Sequence, residues 1–114
     1  MILIDNMDSN VTLVRPGVAR LTAINATQFK TEIVKAIEEG ASTLIIDFSE
    51  VEFFDSSGLG ALVGVLKKIG HRGEVVVCGL NENLTHIFKL TRMDRVFPSF
   101  ANKAAAHQSL LERP

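Results

Sequence analysis

The sequence predicts an α/β fold with a central mixed, largely parallel sheet of about four to five strands and about four helices. Apolar runs of strand length, most clearly 43–48 and 74–79, are rich in valine and isoleucine. They alternate with stretches in which apolar residues recur every three or four positions, the period of a helix packed on one face. Strands that alternate with helices are joined by crossovers and form parallel sheets. The length of 114 residues predicts one domain over 1–114.

The N-terminal residues predict strands near one edge of the sheet. Residues 1–5 alternate weakly and favour an edge strand, and the polar residues 6–10 favour a turn. A strand is predicted over 11–14 from its β-branched content. A Pro-Gly pair then interrupts the pattern before it resumes over 18–21, and the proline leaves an edge strand, a bulge and a hairpin turn as alternatives.

Two amphipathic helices are predicted in the first two-thirds of the chain. The first follows a cap at Asn25 or Thr27 and stops at Gly40, and the second stops at Gly70. The apolar face of the first consists of Phe29, Ile33, Val34 and Ile37. The apolar face of the second consists of Leu59, Leu62, Val63, Leu66 and Ile69.

The C-terminal part predicts a buried strand, a short helix, a last strand and a terminal helix. The strand over 74–79 lacks alternation, which is typical of a sheet covered on both faces. Asn81 or Asn83 can cap the short helix, which carries Leu84 to Leu90. The last strand is predicted over 93–97 and the terminal helix over 104–112, with Ser99 as cap and Ala105, Leu110 and Leu111 as apolar side.

Residues 55–60, Asp-Ser-Ser-Gly-Leu-Gly, stand where a strand is followed by the second helix, and they carry the most information. Asp55, Ser56 and Ser57 all favour caps, because their side-chain oxygens accept hydrogen bonds from the free amides of a first helical turn. Three candidates for one cap leave at least one hydroxyl free. Gly58 and Gly60 each cost about 1 kcal/mol in a helix relative to alanine. They therefore predict a close approach to the backbone, either by the protein's own sheet or by a partner.

Composition and charge narrow the possible functions. The chain has 12 basic and 13 acidic residues, a balance that disfavours nucleic acid as the main ligand. No apolar run reaches the roughly 18 residues of a membrane span, and the first residues lack the basic segment of a signal peptide, so no membrane insertion is expected. A single cysteine, Cys78, excludes an internal disulfide and favours a cytoplasmic location.

Catalysis and cofactor binding have little support in the sequence. A small serine hydrolase would use Ser56 or Ser57 as nucleophile with His71, His86 or His107 as base, but the G-x-S-x-G motif is missing. The cysteine and the histidines do not stand at metal-ligand spacing, so no metal site is predicted. The glycines of 58–64 follow G-x-G-x-x-x-G, one residue longer than the phosphate-binding motif, so no nucleotide cofactor is predicted.

The run DFSEVEFFDSSGLGAL over 47–62, with a strand before it and a helix after it, resembles the signature of the STAS family, the bacterial anti-sigma factor antagonists. The resemblance covers about residues 11–112 in order of elements and implies a small sheet, mixed at its N-terminal edge, with helices packed against it. It makes the first serine after the aspartate, Ser56, the phosphorylation site. The partner-binding residues that it implies are Thr22, Asp55, Ser56, Ser57, Gly58, Leu59 and Gly60.

The resemblance further implies a binding switch and no enzymatic activity. A kinase-type anti-sigma factor, holding ATP and magnesium itself, phosphorylates Ser56 and releases the product. A PP2C-type phosphatase restores the hydroxyl, and the unphosphorylated chain sequesters the anti-sigma factor. Where the family has Gly-x-Leu-Asp this chain has Ala-Arg-Leu-Thr over 19–22, so Thr22 lacks the usual carboxylate and a different kinase is plausible. The alternative is a STAS adaptor subunit of a lipid-transport ATP-cassette complex, but the intact 55–60 motif favours the switch.

Overall fold

The computed structural model describes residues 2–8 and 10–112. Within these residues seven strands and four helices follow one another along the chain. The strands are β1 Leu3–Asp8, β2 Val11–Arg15, β3 Arg20–Leu21, β4 Thr43–Asp47, β5 Phe53–Phe54, β6 Glu74–Cys78 and β7 Ser99–Phe100. The helices are α1 Ala26–Glu38, α2 Ser56–Ile69, α3 Glu82–Leu90 and α4 Lys103–Leu111. Met1 in the predicted first strand and Ser9 in the predicted turn lie outside the described residues.

Five strands form the main sheet in the order β1-β2-β4-β6-β7. Strand β1 runs antiparallel to β2, and the other neighbours are parallel. The register of the central strands places Leu13 beside Ile45, and Ile45 beside Val76. The mixed, largely parallel sheet with four helices confirms the predicted fold class.

Alternate residues of the central strands pack against helices on opposite faces. Leu44 and Ile46 of β4 belong to the larger core, together with apolar residues of α1, α2 and α3. Ile45, between them, packs with Val76 and with Ala106 of α4 on the other face. Residues 44–47 of β4 and 75–78 of β6 are all buried, which confirms the prediction that the sheet is covered on both faces. None of the helices in the described residues is long and apolar enough to cross a membrane.

Strands β3 and β5 form a separate two-stranded parallel sheet beside the main one. The proline at position 16 left an edge strand, a bulge and a hairpin turn as alternatives. In the structure the chain instead leaves the main sheet after Pro16 and Gly17 and forms β3 of the separate pair. Arg20 lies over the Phe53 ring across this pair, 4.7 Å from the ring centroid, a contact worth about 0.5–1 kcal/mol at exposed sites. The small sheet brings the start of α1 next to the start of α2.

Several predictions for the C-terminal part are wrong. The predicted strand over 93–97 contains a 3-10 turn at Met93–Arg95, with Arg92 in the left-handed conformation at φ 62°. The last strand lies beyond it, where Ser99 pairs with Val77. Ser99 is therefore not a cap, and Asn102 caps α4 by accepting the Ala105 N–H at 2.8 Å. The buried face of α4 is Ala106, whereas Ala105 and Leu111 are exposed.

Element ends and faces also differ elsewhere. Strand β1 continues to Asp8, through part of the predicted turn, because its residues pair with β2 across a bulge. Asn25 precedes α1 but its side chain accepts the N–H of Thr22 at 2.9 Å and caps no helical amide. On α2 the buried apolar residues missed are Ala61 and Val65, while Leu59, Val63 and Leu66 are half-buried. On α3, Asn81 is the cap and Leu90 is exposed.

A buried thiol and a buried carboxylate meet at the carboxyl ends of β4 and β6. Asp47 is 8% exposed, accepts the Ser49 N–H at 2.9 Å, and its Oδ2 lies 3.9 Å from Nε of Arg15. Burial, followed by the negative charge of Asp47, raises the pKa of the Cys78 thiol to about 12. The predicted buried, structural cysteine is confirmed.

Cys78 is expected to resist alkylation in the folded protein. Moving the pKa from 9.0 to about 12 lowers the thiolate population at about pH 8 roughly a thousandfold, since each pKa unit is a factor of ten. Iodoacetamide labelling followed by mass spectrometry measures the rate, and the denatured chain, with the thiol in water, serves as the control. Labelling of the native protein as fast as that of the denatured chain would contradict the expectation.

Candidate functional site

Asp55 fixes the start of α2 through its side chain. Its Oδ1 accepts the backbone N–H of Ser57 at 2.8 Å and of Gly58 at 3.1 Å. Its carbonyl oxygen accepts the N–H of Leu59 at 3.1 Å. The two side-chain bonds satisfy first-turn amides that have no partner inside the helix, and the bond from Leu59 is the first backbone bond of the helix itself. Of the three cap-forming residues that the sequence offers, the aspartate is the cap.

The same carboxylate ties α2 to the loop between β3 and α1. Oδ2 of Asp55 accepts the N–H of Ala23 at 3.2 Å, and the Asp55 N–H donates to the carbonyl of Leu21 at 3.2 Å. Residues far apart in sequence are thereby joined at one edge of the fold. The structure brings the loop containing Thr22 and the 55–60 motif together.

Ser56 and Ser57 are the first two residues of α2, and both are exposed. Within the described part of the chain, neither hydroxyl forms a hydrogen bond. The N–H of Ser56 is also without an acceptor there. A free hydroxyl and a free amide therefore stand side by side at the positive end of a helix dipole, where added negative charge is favoured by roughly 0.3–1 kcal/mol at an exposed position.

The two glycines of the motif have different surroundings. Gly58 is buried, and a Cβ atom on it would lie 2.5 Å from the Leu21 carbonyl oxygen and 2.9 Å from Cβ of Phe54. Gly60 is exposed, and a Cβ atom there would meet nothing within 4 Å. The sequence left open whether the protein's own sheet or a partner comes close to these glycines. At Gly58 the close neighbour is the protein's own β3, whereas Gly60 has no neighbour that would exclude a side chain. Leu59, between them, is half-buried against the main core.

Thr22 stands just after β3, and its contacts lie within its own loop. Its N–H donates to Oδ1 of Asn25 at 2.9 Å, and its Oγ1 accepts the Ile24 N–H at 3.4 Å. The neighbouring Ile24 is 95% exposed, which makes it an apolar side chain open to a partner beside the 55–60 motif. Sequence reasoning missed Ile24, because an apolar residue at the start of a predicted helix gives no signal that it faces solvent.

The serine–histidine pair that a hydrolase would need is not formed. Within the described residues, which include all three histidines, no hydrogen bond joins Ser56 or Ser57 to an imidazole. His107 lies on α4 with Nε2 2.6 Å from Oδ2 of Asp8. Residues 2–8 and 10–112 also hold no group of three metal-ligating side chains close enough for an ion.

Backbone hydrogen bonds lower the pKa of Asp55 below its ordinary value of 3.8, with the Gly58 N–H as the largest cause and those of Ala23 and Ser57 adding to it. The pKa of Asp55 is lower in the folded state than in the unfolded state. The charged carboxylate therefore contributes its full stabilisation at pH values above the pKa that Asp55 has in the unfolded chain. This contribution is lost as pH falls through the folded-state pKa.

Replacing Asp55 by Asn is expected to destabilise the protein in a pH-dependent way. The amide retains one acceptor for the first-turn N–H groups but places an NH2 group opposite the Ala23 N–H. The difference in Tm from the unmodified chain should be constant above about pH 5 and shrink below about pH 4, because protonation removes the advantage of the carboxylate. Thermal unfolding by circular dichroism across this range measures it. A difference that persists unchanged into acid would contradict the assignment.

Comparisons with known proteins agree on one family. A family model described as the STAS domain matches residues 6–106. The anti-sigma-B factor antagonist of Listeria monocytogenes is 38% identical over 64 residues, which are 55% of this chain and 55% of that protein. The matched stretch thus spans about half of that relative's length.

Solved structures share the fold over nearly the whole chain. An anti-sigma factor antagonist from Mycobacterium paratuberculosis superposes with a TM-score of 0.87 at 24% identity, covering 98% of this chain and 94% of that one. The anti-sigma factor antagonist SpoIIAA matches in its unphosphorylated form with a TM-score of 0.77, covering 99% and 100% of the two chains. Its phosphorylated form, from Bacillus, matches with a TM-score of 0.73, covering 96% and 99%. Identity to SpoIIAA is 18% in both forms, so the likeness concerns the fold.

Proposed function

The chain belongs to the STAS domain family, and we propose that within it this protein is an anti-sigma factor antagonist switched by phosphorylation of Ser56. The unphosphorylated chain binds and sequesters a kinase-type anti-sigma factor in the cytoplasm, and the phosphorylated chain releases it. A PP2C-type phosphatase resets the cycle. The protein acts as a single binding domain over 1–114 and as a substrate of these enzymes, with no cofactor of its own.

The observation that carries the proposal is the environment of Ser56. Its hydroxyl is exposed at the first position of α2 and makes no hydrogen bond within the described residues. The bonds that fix the helix start belong to Asp55, so the hydroxyl can be modified without breaking them. SpoIIAA shares this fold in both its unphosphorylated and its phosphorylated form, which supports a fold that tolerates the phosphate.

The phosphoryl transfer requires no catalytic group from this chain. The Ser56 Oγ attacks the γ-phosphorus of ATP held by the kinase, ADP leaves, and the hydroxyl proton passes to a base of the kinase. The product carries about −1.5 to −2 charges at Ser56. Hydrolysis by the phosphatase releases inorganic phosphate and restores the hydroxyl. Accessibility and a fixed backbone are what this chain supplies.

The switch follows from the difference between an open surface and a covered one. In the free protein the helix dipole favours the phosphate, while Asp55 next to it opposes it by a similar amount, so the net effect on folding is small. In a complex the same charge would have to be desolvated or to face a like charge, at a cost of several kcal/mol. Since about 1.4 kcal/mol is tenfold, affinity falls a hundredfold or more.

The experiment that tests the proposal is phosphorylation by purified kinase-type anti-sigma factors from the source organism. Each is incubated with the full chain and ATP, and phosphopeptides are identified by mass spectrometry. We expect one of these kinases to place a single phosphate on Ser56. Phosphate found only on Ser57 or Thr22, or no phosphate with any of these kinases, would contradict the proposal.

A further inference from the structure

A long cleft between α1 and α2 opens next to the Ser56 site. Its volume is about 710 Å³, within the range of ligand-binding clefts. Ser57 and Gly60 contribute to its lining and belong to the N-terminal part of the helix that carries Ser56. Small apolar residues, Ala26 and Ala61, contribute to its lining and are themselves buried. The cleft is therefore continuous with the surface that a kinase must cover to reach Ser56.

The cleft carries positive charge that nothing within the described residues neutralises at close range. Lys30 and Lys35 of α1 line it, both are exposed, and neither forms an ion pair in the described part of the chain. Glu38 is the acidic residue of the lining, and it is paired with Lys68 of α2 at 3.1 Å. The charges left for a partner are thus two lysines.

The side chain of Lys30 extends over the backbone of α2 at Gly64. A Cβ atom on Gly64 would lie 2.7 Å from Cε and 2.9 Å from Nζ of Lys30. The side chain of Lys30 therefore crosses from α1 onto the backbone of α2, in space that the glycine leaves open. A lysine that lies across apolar surface keeps its charged end available to a ligand.

We propose that the kinase-type partner that recognises Ser56 seats an acidic segment in the α1–α2 cleft, with carboxylates paired to Lys30 and Lys35. This inference rests on the proposed function, because the occupant is the protein that phosphorylates Ser56. Charge complementarity identifies the chemistry of the segment. A standard interface covers about 800 Å² on each partner, so a kinase centred on Ser56 reaches beyond Ser57 into the cleft.

An acidic segment in the cleft also explains why the phosphate expels the partner. The segment enters beside Ser57, one residue from the phosphoacceptor. A phosphate on Ser56 then faces carboxylates of the partner, and like charges brought together at an interface cost several kcal/mol. The lysines raise affinity for the unmodified form, and the carboxylates that they attract raise the penalty for the modified one.

The experiment compares two charge-reversal variants with the kinase that phosphorylates Ser56. In the test variant Lys30→Glu and Lys35→Glu are combined; in the control, Lys89→Glu and Lys103→Glu change the net charge equally at exposed positions of α3 and α4 outside the cleft lining. We expect the test variant to lose about tenfold or more in affinity and to show a weaker dependence of affinity on salt. The control should stay within about threefold of the unmodified chain. Thermal unfolding checks that both variants fold.

The outcomes separate this inference from the proposed function. If the test variant binds like the unmodified chain while the kinase still phosphorylates Ser56, the cleft proposal is overturned and the switch stands. An equal loss in both variants overturns it as well, because the effect is then one of overall charge. If no kinase phosphorylates Ser56, both proposals fail. Binding to phosphatidylglycerol vesicles that requires Lys30 and Lys35, with kinase binding unchanged, would assign the cleft to an anionic membrane surface instead.

Discussion

Ser56→Ala is expected to bind its kinase-type anti-sigma factor constitutively, and Ser56→Asp to bind it about a hundredfold more weakly. The alanine variant keeps the bonds of Asp55 and loses only an exposed hydroxyl, so its fold and bare surface are those of the unphosphorylated chain. The aspartate variant places a fixed charge at the position of the phosphate. Isothermal titration calorimetry with the purified kinase, with and without ATP, measures both affinities.

A matched control separates the position of the charge from its presence. Asn83 is exposed in the first turn of α3, so Asn83→Asp adds the same charge at the start of a different helix. Its affinity should stay within about threefold of that of the unmodified chain. A Ser56→Asp protein that binds as tightly as the unmodified chain would remove the basis for the switch.

Gly58→Ala is expected to lower the free energy of unfolding by about 1–2 kcal/mol. The added methyl would lie 2.5 Å from the Leu21 carbonyl oxygen and 2.9 Å from Cβ of Phe54, which is 1% exposed. Overpacking against rigid neighbours typically costs 1–3 kcal/mol, occasionally more, and outweighs the roughly 1 kcal/mol that alanine gains in a helix. For a domain of this size the Tm should fall by roughly 5–10 °C, as measured by calorimetry.

Gly60→Ala provides the opposite expectation two residues away in the same helix. Its Cβ would meet nothing within 4 Å, so only the helix preference acts and stability should rise by up to about 1 kcal/mol. If both variants changed stability in the same direction, the close contact between α2 and β3 would not be what requires a glycine at 58.

The fold class could be predicted because the strongest patterns belong to the central elements. The runs that became β4 and β6 are apolar throughout, and burial on both faces is what that pattern indicates. The start of α2 was predicted for a similar reason, since the cap requires an oxygen that only a few residue types provide. These signals are local, and tertiary contacts agree with them.

Elements that depend on distant contacts were not predicted correctly. The segment 93–97 has strand-like residues, but Phe97 is buried in the core without pairing to a strand. The strand that pairs with β6 follows after Pro98, at Ser99 and Phe100. Strands β3 and β5 have two residues each, and each exists only because it pairs with the other. Within the site, the link between Asp55 and Ala23 joins positions 32 residues apart, and no local pattern encodes such a contact.

The double anchoring of Asp55 has a consequence for the speed of the proposed phosphorylation switch. Among the described residues, every hydrogen bond that holds the start of α2 uses the backbone or the Asp55 carboxylate, and none uses the Ser56 hydroxyl. Adding or removing a phosphate therefore requires no rearrangement of this chain, and no slow refolding phase should follow either reaction. The response time would be set by the turnover of the kinase and the phosphatase alone, and the cell could adjust it through the amounts of those two enzymes.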